Sequence, residues 1–300
     1  MRKTAYFALW AVLLLVIATP VGAVTNGLAD GTQHPYVGLI VFYSGFDTGN
    51  HPIPMWRCSG SLLSDTVFLT AAHCVSDPTP AFASIWFVPE PQGQTVGQPT
   101  DYTKYPYGGY NASATKLIPM PGYLTGNLKS GGLPGFDYHD VAVVIIDRWF
   151  TDMPSGRAQL PAQGLVDTLR MKAEVTIVGY GVQYQRQIPG SAYPPPGQDD
   201  GNTPPYLRWT GRTRMYAPSQ LVQSKDVISS EFLKLTANTA QGKGGVCFGD
   251  SGGPIFLGDN TVIGVNSFGS NVNCSGLSYS NRIDIADILA WIDIQLQNNP

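Results

Sequence analysis

From Val24 to about residue 283 the chain never sustains an apolar helical period; it strings together short β-branched runs cut by glycine and proline. The readable runs are Val37–Tyr43, Ser59–Ser64, Val67–Thr70, Ser84–Val88, Val141–Asp147, Glu174–Tyr180, Lys234–Thr236, Pro254–Leu257 and Thr261–Phe268. Each is long enough for one strand and is bounded by turn formers. With 34 Gly and 24 Pro in 300 residues, such a chain buries a core by packing many short strands. Helical spacing returns at the C terminus, where Ile285, Ile288, Leu289, Ile292 and Leu296 recur between Asp284 and Gln297. Asp284 is placed to cap that helix, which is expected to pack against the body rather than to bind a partner. The pattern predicts an all-β protein with one terminal helix.

Two stretches break the strand rhythm. Pro89–Gly109 and Gln183–Pro205 are rich in Pro and Gly and lack periodicity, so both are expected to be exposed loops. A boundary between two halves is expected near Phe150–Leu165, where Pro and Gly interrupt the strand pattern. Hydrophobic residues at 43% against 13% charged argue for an ordered core. A net charge of −3 offers no pull toward nucleic acid or acidic lipid.

The first 23 residues read as a signal peptide, with Arg2 and Lys3, an apolar run from Thr4 to Ala18, and small residues at Val21-Gly22-Ala23. The run is shorter than the roughly 20 residues of a spanning helix, so cleavage and secretion are expected, with no stable membrane association afterwards. Export makes disulfides the natural use of four cysteines, which allow three pairings. Cys58 and Cys74 lie 16 residues apart and Cys247 and Cys274 lie 27 apart. Pairing those neighbours would close two short loops, each contributing roughly 3 kcal/mol through chain entropy. The spacings do not suit a zinc site, and no compact acidic cluster suggests calcium.

Chemistry concentrates in two strings. Gly249-Asp250-Ser251-Gly252-Gly253-Pro254 surrounds a serine with residues that allow a sharp turn and leave backbone N–H groups able to face a developing oxyanion. A serine hydroxyl needs a base to become a nucleophile. Thr70-Ala71-Ala72-His73-Cys74 supplies a histidine after an apolar strand, the residue type most often used as base near neutral pH. An aspartate before a short apolar strand, Asp140-Val141-Ala142-Val143-Val144, completes the set. Asp137 lacks a strand directly after it and Asp147 lies at the far end, so Asp140 is preferred; His139 is read as incidental.

Together these strings resemble the trypsin/chymotrypsin family of serine peptidases, and the order His, Asp, Ser matches that family. The resemblance spans most of Val24–Gln297 and is sharp around the motifs. It implies two packed six-stranded antiparallel β-barrels, about 24–155 and 165–283, with a C-terminal α-helix at about 284–297. It implies a secreted serine endopeptidase with His73, Asp140 and Ser251 as triad and the N–H groups of Gly249 and Ser251 as oxyanion hole. It also implies the pairings Cys58–Cys74 and Cys247–Cys274. Gly179-Tyr180-Gly181 resembles an early turn of the second barrel, and Ser267-Phe268-Gly269 the segment that walls the primary pocket. Partners implied are protein or peptide substrates and protein inhibitors, without metal or organic cofactor. A silent binding relative or an esterase using the same chemistry is the alternative.

In the family a freed N-terminal amine pairs with the aspartate before the nucleophile, so the resemblance implies a Val24–Asp250 pair. Ala23, not Lys or Arg, precedes Val24, so signal-peptide removal itself is expected to release that amine. The base of the family's primary pocket falls on Gly245, which carries no charge for a Lys or Arg substrate. Phe248 and Phe268 are expected to line the pocket and Leu277 to project into it. Asn111 and Asn273 begin glycosylation sequons.

Overall fold

Glycine decides how tightly the first half can roll up. A Cβ on Gly60 would lie 2.3 Å from Phe68 Cε1 and 2.4 Å from the Leu69 carbonyl, so only glycine lets adjacent strands and the Phe68 ring share that space. The computed structural model describes residues 24–76, 78–91, 94–95, 105–123, 138–181, 212–222, 230–270 and 274–300. The expected signal peptide, the Gln183–Pro205 loop, Asp137 and Asn273 lie outside the described residues.

After β1 (Leu28–Ala29) come β2 (Val37–Phe46), β3 (Pro52–Leu62), β4 (Val67–Thr70) and β5 (Phe82–Trp86). A small pair, β6 (Gln94–Thr95) and β7 (Pro106–Tyr107), precedes β8 (Ala112–Pro119) and β9 (Ala142–Trp149). The order β2-β3-β4-β9-β8-β5 closes into an antiparallel barrel. The Pro89–Gly109 stretch is therefore more than an exposed loop. It carries the β6–β7 pair, buries Pro106, and is tied down by the Tyr105 hydroxyl donating to Met55 O at 3.0 Å.

The second half contains β10 (Glu174–Gly179), β11 (Met215–Gln220), β12 (Phe232–Ala237), β13 (Pro254–Leu257), β14 (Thr261–Gly269) and β15 (Gly276–Arg282). They form a seven-stranded sheet in the order β1-β11-β10-β13-β14-β15-β12. Where the resemblance implied a second six-stranded barrel, this sheet gains β1 and closes by a narrow seam. Among the described residues the seam consists of one bridge, Leu221 to Leu235, a bond from Val222 N–H to Lys234 O at 2.9 Å, and the Ser219 hydroxyl donating to Thr236 O at 2.7 Å. The free edge of β11 is otherwise engaged: β1 pairs with Met215 and Tyr216, and Pro218, which has no N–H to donate, accepts from Gly244 N–H. The molecule is thus mostly β, a closed barrel beside a curled sheet, with one C-terminal helix, α1 (Ala286–Asn298).

Ile288 and Ile292 are the buried face of α1 and join the first barrel's core, which continues through Tyr180, Phe256 and Ile283 of the second half. Asp284 is not the cap expected of it. The helix starts two residues later, after Ile285, whose side chain makes no capping bond. Asp284 is fully buried and accepts two bonds from Arg282, at 2.9 Å each, and one from Val166 N–H at 2.8 Å. It fastens the Leu165–Thr168 turn instead.

Two devices join the halves. The segment after β9 crosses over, with Ala158 N–H bonded to Leu62 O and Gln159 paired beside Thr261. Deeper, Arg214 is only 1% exposed and satisfies its guanidinium on both sides. It donates to Asp30 Oδ2 at 2.7 Å, to Gly31 O, to Val37 O and Phe87 O of the first barrel, and to the Tyr180 hydroxyl. Asp30 also accepts from the backbone and ring of His34, which stacks on Phe256.

Candidate active site

His73 sits in a one-turn 3-10 segment, Ala72–Cys74, directly after β4. The turn is held by the Cys58–Cys74 disulfide and by Trp56, whose indole N–H donates to Cys74 O at 2.9 Å. Asp140 precedes β9 and follows His139, whose φ of 54 turns the chain sharply just before it. Asp140 is fully buried, and one oxygen accepts the His73 backbone N–H at 2.8 Å. The other faces His73 Nδ1 at 2.7 Å and accepts the Ser267 hydroxyl. The Asp140 N–H in turn donates to Asn281 Oδ1 at 3.3 Å. Burial alone would raise the Asp140 pKa, but the charge of His73 and the bonds from His73 and Ser267 outweigh it and hold the carboxyl below its ordinary value. Asp147 lies elsewhere, bonded to Ser113 and Thr115 on an exposed face. His139 faces Asp287 of α1, 3.6 Å away.

Ser251 rides on a loop shaped by positive φ at Gly249 (95) and Gly252 (79). Gly252 allows the closest approach in the region: a Cβ there would fall 2.0 Å from Thr70 Oγ1 and 2.5 Å from Ser59 O. That contact seats the serine loop against the strand that leads to His73. Ser59 N–H donates to Ser251 O at 2.7 Å, and Ser59 Oγ donates to Gly249 O at 2.8 Å. The amides of Asp250, Gly252 and Gly253 are bonded to Cys247 O, Asn266 O and Asp250 O. Among the described residues, those of Gly249 and Ser251 have no such acceptor. They are the two donors that the oxyanion reading requires.

His73 and Ser251 line one cavity of about 420 Å³. Its wall includes Phe248, Ser267, Phe268 and Gly269 from the expected pocket. Two expected members are absent from the lining. Gly245 is backed by Ala237 and Ser278, and its N–H is bonded to Thr25 Oγ1 at 2.9 Å. Leu277 pairs with Thr236 in the sheet and packs with Phe232 and Tyr279. Val246, Asn266 and the Cys247–Cys274 disulfide line the cavity instead, and no local sequence signal singles out Val246 or Asn266.

Asp250 points away from the cavity into the protein. It is fully buried, and its oxygens accept Gly181 N–H at 2.7 Å and Cys247 N–H at 2.9 Å. A Cβ on Gly179 or Gly181 would lie 2.2 Å from this carboxylate, which explains the glycines flanking Tyr180. Burial pushes its pKa up to about 7, against the pull of the Cys247 and Gly181 amides and the Arg57 charge. Val24 is buried beside Val246 in the second core, and Thr25 bridges antiparallel to Gly245.

Comparison with known proteins gives a consistent picture. The family model described as Trypsin matches residues 29–292. The chain is 25% identical over 240 residues to Serine protease SP24D of Anopheles gambiae, covering 80% of this chain and 72% of that protein. It is 26% identical over 276 residues to Serine protease 1 of Drosophila melanogaster, covering 90% and 84%. In fold it is similar to HL collagenase, with a TM-score of 0.57 at 18% identity, covering 91% of this chain and 97% of the other. Human heparin binding protein gives 0.57 at 17% identity, covering 91% and 96%.

Proposed function

Because the chain belongs to the trypsin family of serine proteases, we propose that it is a secreted endopeptidase in which Ser251, His73 and Asp140 act as one catalytic unit. The observation that carries this reading is that the Asp140-bonded imidazole and the Ser251 loop line the same cavity. With Nδ1 committed to Asp140, Nε2 of His73 is the nitrogen that takes the Ser251 proton as the hydroxyl attacks a peptide carbonyl. The Gly249 and Ser251 amides receive the oxyanion, each such donor lowering the barrier by roughly 3–4 kcal/mol. His73 returns the proton to the leaving amine, and water then releases the acyl group by the same route. Asp140 keeps the imidazole in that tautomer and stabilises its charged form.

The cavity wall carries no acidic side chain among the described residues, and its aromatic members are Phe248 and Phe268. This supports an apolar primary preference rather than one for Lys or Arg. A fluorophosphonate is expected to label Ser251 of the secreted protein, identified by peptide mass. Casein and peptide anilides ending in Leu or Phe are expected to be cleaved faster than an Arg anilide, and Ser251→Ala to be inert in both assays. Absence of labelling, with proteolysis unchanged by Ser251→Ala, would place the activity elsewhere.

The Thr25–Gly245 bridge supports the activation reading as well. By antiparallel register it sets Val24 opposite Val246, next to the Cys247 amide that Asp250 holds. An amine released at Val24 would meet a buried carboxyl whose pKa burial has pushed up to about 7. Amino-terminal sequencing of active secreted enzyme is expected to begin at Val24; an active form starting well downstream would refute the pairing.

A further inference from the structure

The β3 strand presents two polar side chains to the serine loop. Ser59 and Arg57 are two residues apart, so they project to the same face of the strand. Ser59 holds Gly249 O, Tyr180 N–H and, through its own backbone, Ser251 O. Arg57 is only 5% exposed, and its Nε lies 3.3 Å from the position a Cβ on Gly249 would take. The same point is 3.2 Å from the Gly181 Cα, and Gly181 in turn touches the Asp250 carboxylate. A buried cation and a buried anion thus lie in one neighbourhood around the peptide Gly249–Asp250. Both groups are buried, so little water intervenes to screen their attraction.

We infer that Arg57 is a positioning residue: its buried guanidinium sustains the carboxylate form of Asp250 and, through it, the placement of the Gly249 and Ser251 amides. The inference rests on the endopeptidase reading above. Hydrogen bonding adds to the electrostatic effect. Asp250 uses both oxygens as acceptors, one for Gly181 N–H and one for Cys247 N–H. A protonated carboxyl would turn one acceptor into a donor facing an N–H, and one of those bonds would be lost. The Asp250 side chain would then hold only one of Gly181 and Cys247, and the loop that carries Gly249 and Ser251 would lose one of its ties. Burial favours that protonation, and Arg57 acts against it. This support comes from the body of the first barrel, so it exists in the chain whether or not an amine has been released at Val24.

The test uses the full secreted protein with Arg57→Gln, Arg57→Lys, Asp250→Asn and the Arg57→Gln/Asp250→Asn pair. The readouts are the rate of Ser251 labelling by a fluorophosphonate, kcat and KM on one peptide anilide, and the urea midpoint. Arg57→Gln is expected to lower the labelling rate and kcat about tenfold with KM little changed, and Arg57→Lys to restore most of the loss. In the Asp250→Asn background, where no carboxylate remains to be stabilised, Arg57→Gln is expected to add no further loss. A merely structural arginine predicts the opposite on two points: no rescue by Lys, and an undiminished penalty in the Asn background. Either result overturns the inference, as does unchanged kcat in Arg57→Gln. Should the Gln chain not be recovered folded, Arg57→Lys decides alone, a tenfold fall in kcat at an unchanged urea midpoint counting against the proposal and near-native kcat for it. Wild-type protein that labels at Ser251 while the Arg57 variants behave alike overturns this inference only. Wild-type protein that never labels overturns the endopeptidase reading and this inference with it.

Discussion

Replacing Asp140 with Asn is expected to lower kcat by roughly four orders of magnitude while the fold survives, the size known for a triad of this kind. The physical reason is a proton on the wrong nitrogen. In the native site the carboxylate faces His73 Nδ1 at 2.7 Å and accepts the ring proton there, so Nε2 is left as the base. An amide in the same place would turn its NH2 toward Nδ1, because the other oxygen position already receives the His73 backbone N–H. The ring proton would move to Nε2, and the imidazole could no longer accept from Ser251. Ser267 and Asn281 would still bind the side chain and backbone at position 140, so the loop should keep its shape. Single-turnover acylation of an ester substrate, with near-ultraviolet circular dichroism as the folding control, checks both halves. Linkage gives a second signature. The Asp140 pKa is depressed in the folded protein, so its stabilising contribution is present above the unfolded value near 3.8 and is lost as pH falls through the lower folded value. The Asn variant should lack that acid-side loss.

Arg214→Met is expected to destabilise the protein by about 3–5 kcal/mol, the cost of breaking a buried pair by removing one member. Asp30 is 1% exposed and would keep only the bonds from His34. The carbonyls of Gly31, Val37 and Phe87 would lose their donor together. These groups come from the amino-terminal segment and the first barrel, while Arg214 leads into β11 of the second sheet, so the loss falls on the joint between halves. Lys offers one point charge in place of a fork, so Arg214→Lys should recover only part. Urea unfolding at pH 7 measures the effect. Burial would raise the Asp30 pKa, yet the bonds and charges of His34 and Arg214 win and lower it. Its contribution is therefore present above about 3.8 and disappears as pH falls below that. Without Arg214 the folded-state pKa rises, so acid unfolding should begin at a higher pH than in the wild type. An unchanged urea midpoint and acid profile would mean that the node is redundant.

Strands whose apolar residues alternate or cluster were readable from order alone. Val67–Thr70 and Pro254–Leu257 match β4 and β13, and Thr261–Phe268 differs from β14 by one residue. Besides the two-residue strands β1, β6 and β7, three longer strands were invisible for specific reasons. β15 reads as polar because Ser278, Ser280, Asn281 and Arg282 are buried by hydrogen bonding rather than by hydrophobicity. β11 contains Pro218, which argues against a central strand, and only the arrival of Gly244 rather than a ladder on that side makes it tolerable. β8 places two consecutive exposed residues, Thr115 and Lys116, before the half-buried Leu117, so no clean alternation marks it.

Within the site, the serine and histidine strings are short contiguous segments, so residue type is sufficient to propose them as nucleophile and base. The choice of Asp140 rested on the apolar strand after it. The structure adds what makes an aspartate useful there: zero exposure, donors to its carboxylate from the His73 and Ser267 segments, and Asn281 Oδ1 accepting its backbone N–H. Gly245 and Leu277 were placed by counting along the chain. Counting cannot see that β12 and Ser278 screen Gly245, or that the register of β15 directs Leu277 into the Phe232–Tyr279 cluster.

Local order, then, determined the turn-rich β architecture, and it singles out a leader-like start and the proposed base and nucleophile, because each depends on neighbours a few residues apart. The tertiary structure alone decided the narrow seam of the second sheet, the membership of the cavity wall, the internal salt link of Arg214, and the approach of Arg57 to the serine loop. Those depend on packing between residues up to nearly two hundred positions apart, where shape, exclusion of water and satisfied hydrogen bonds select the partner.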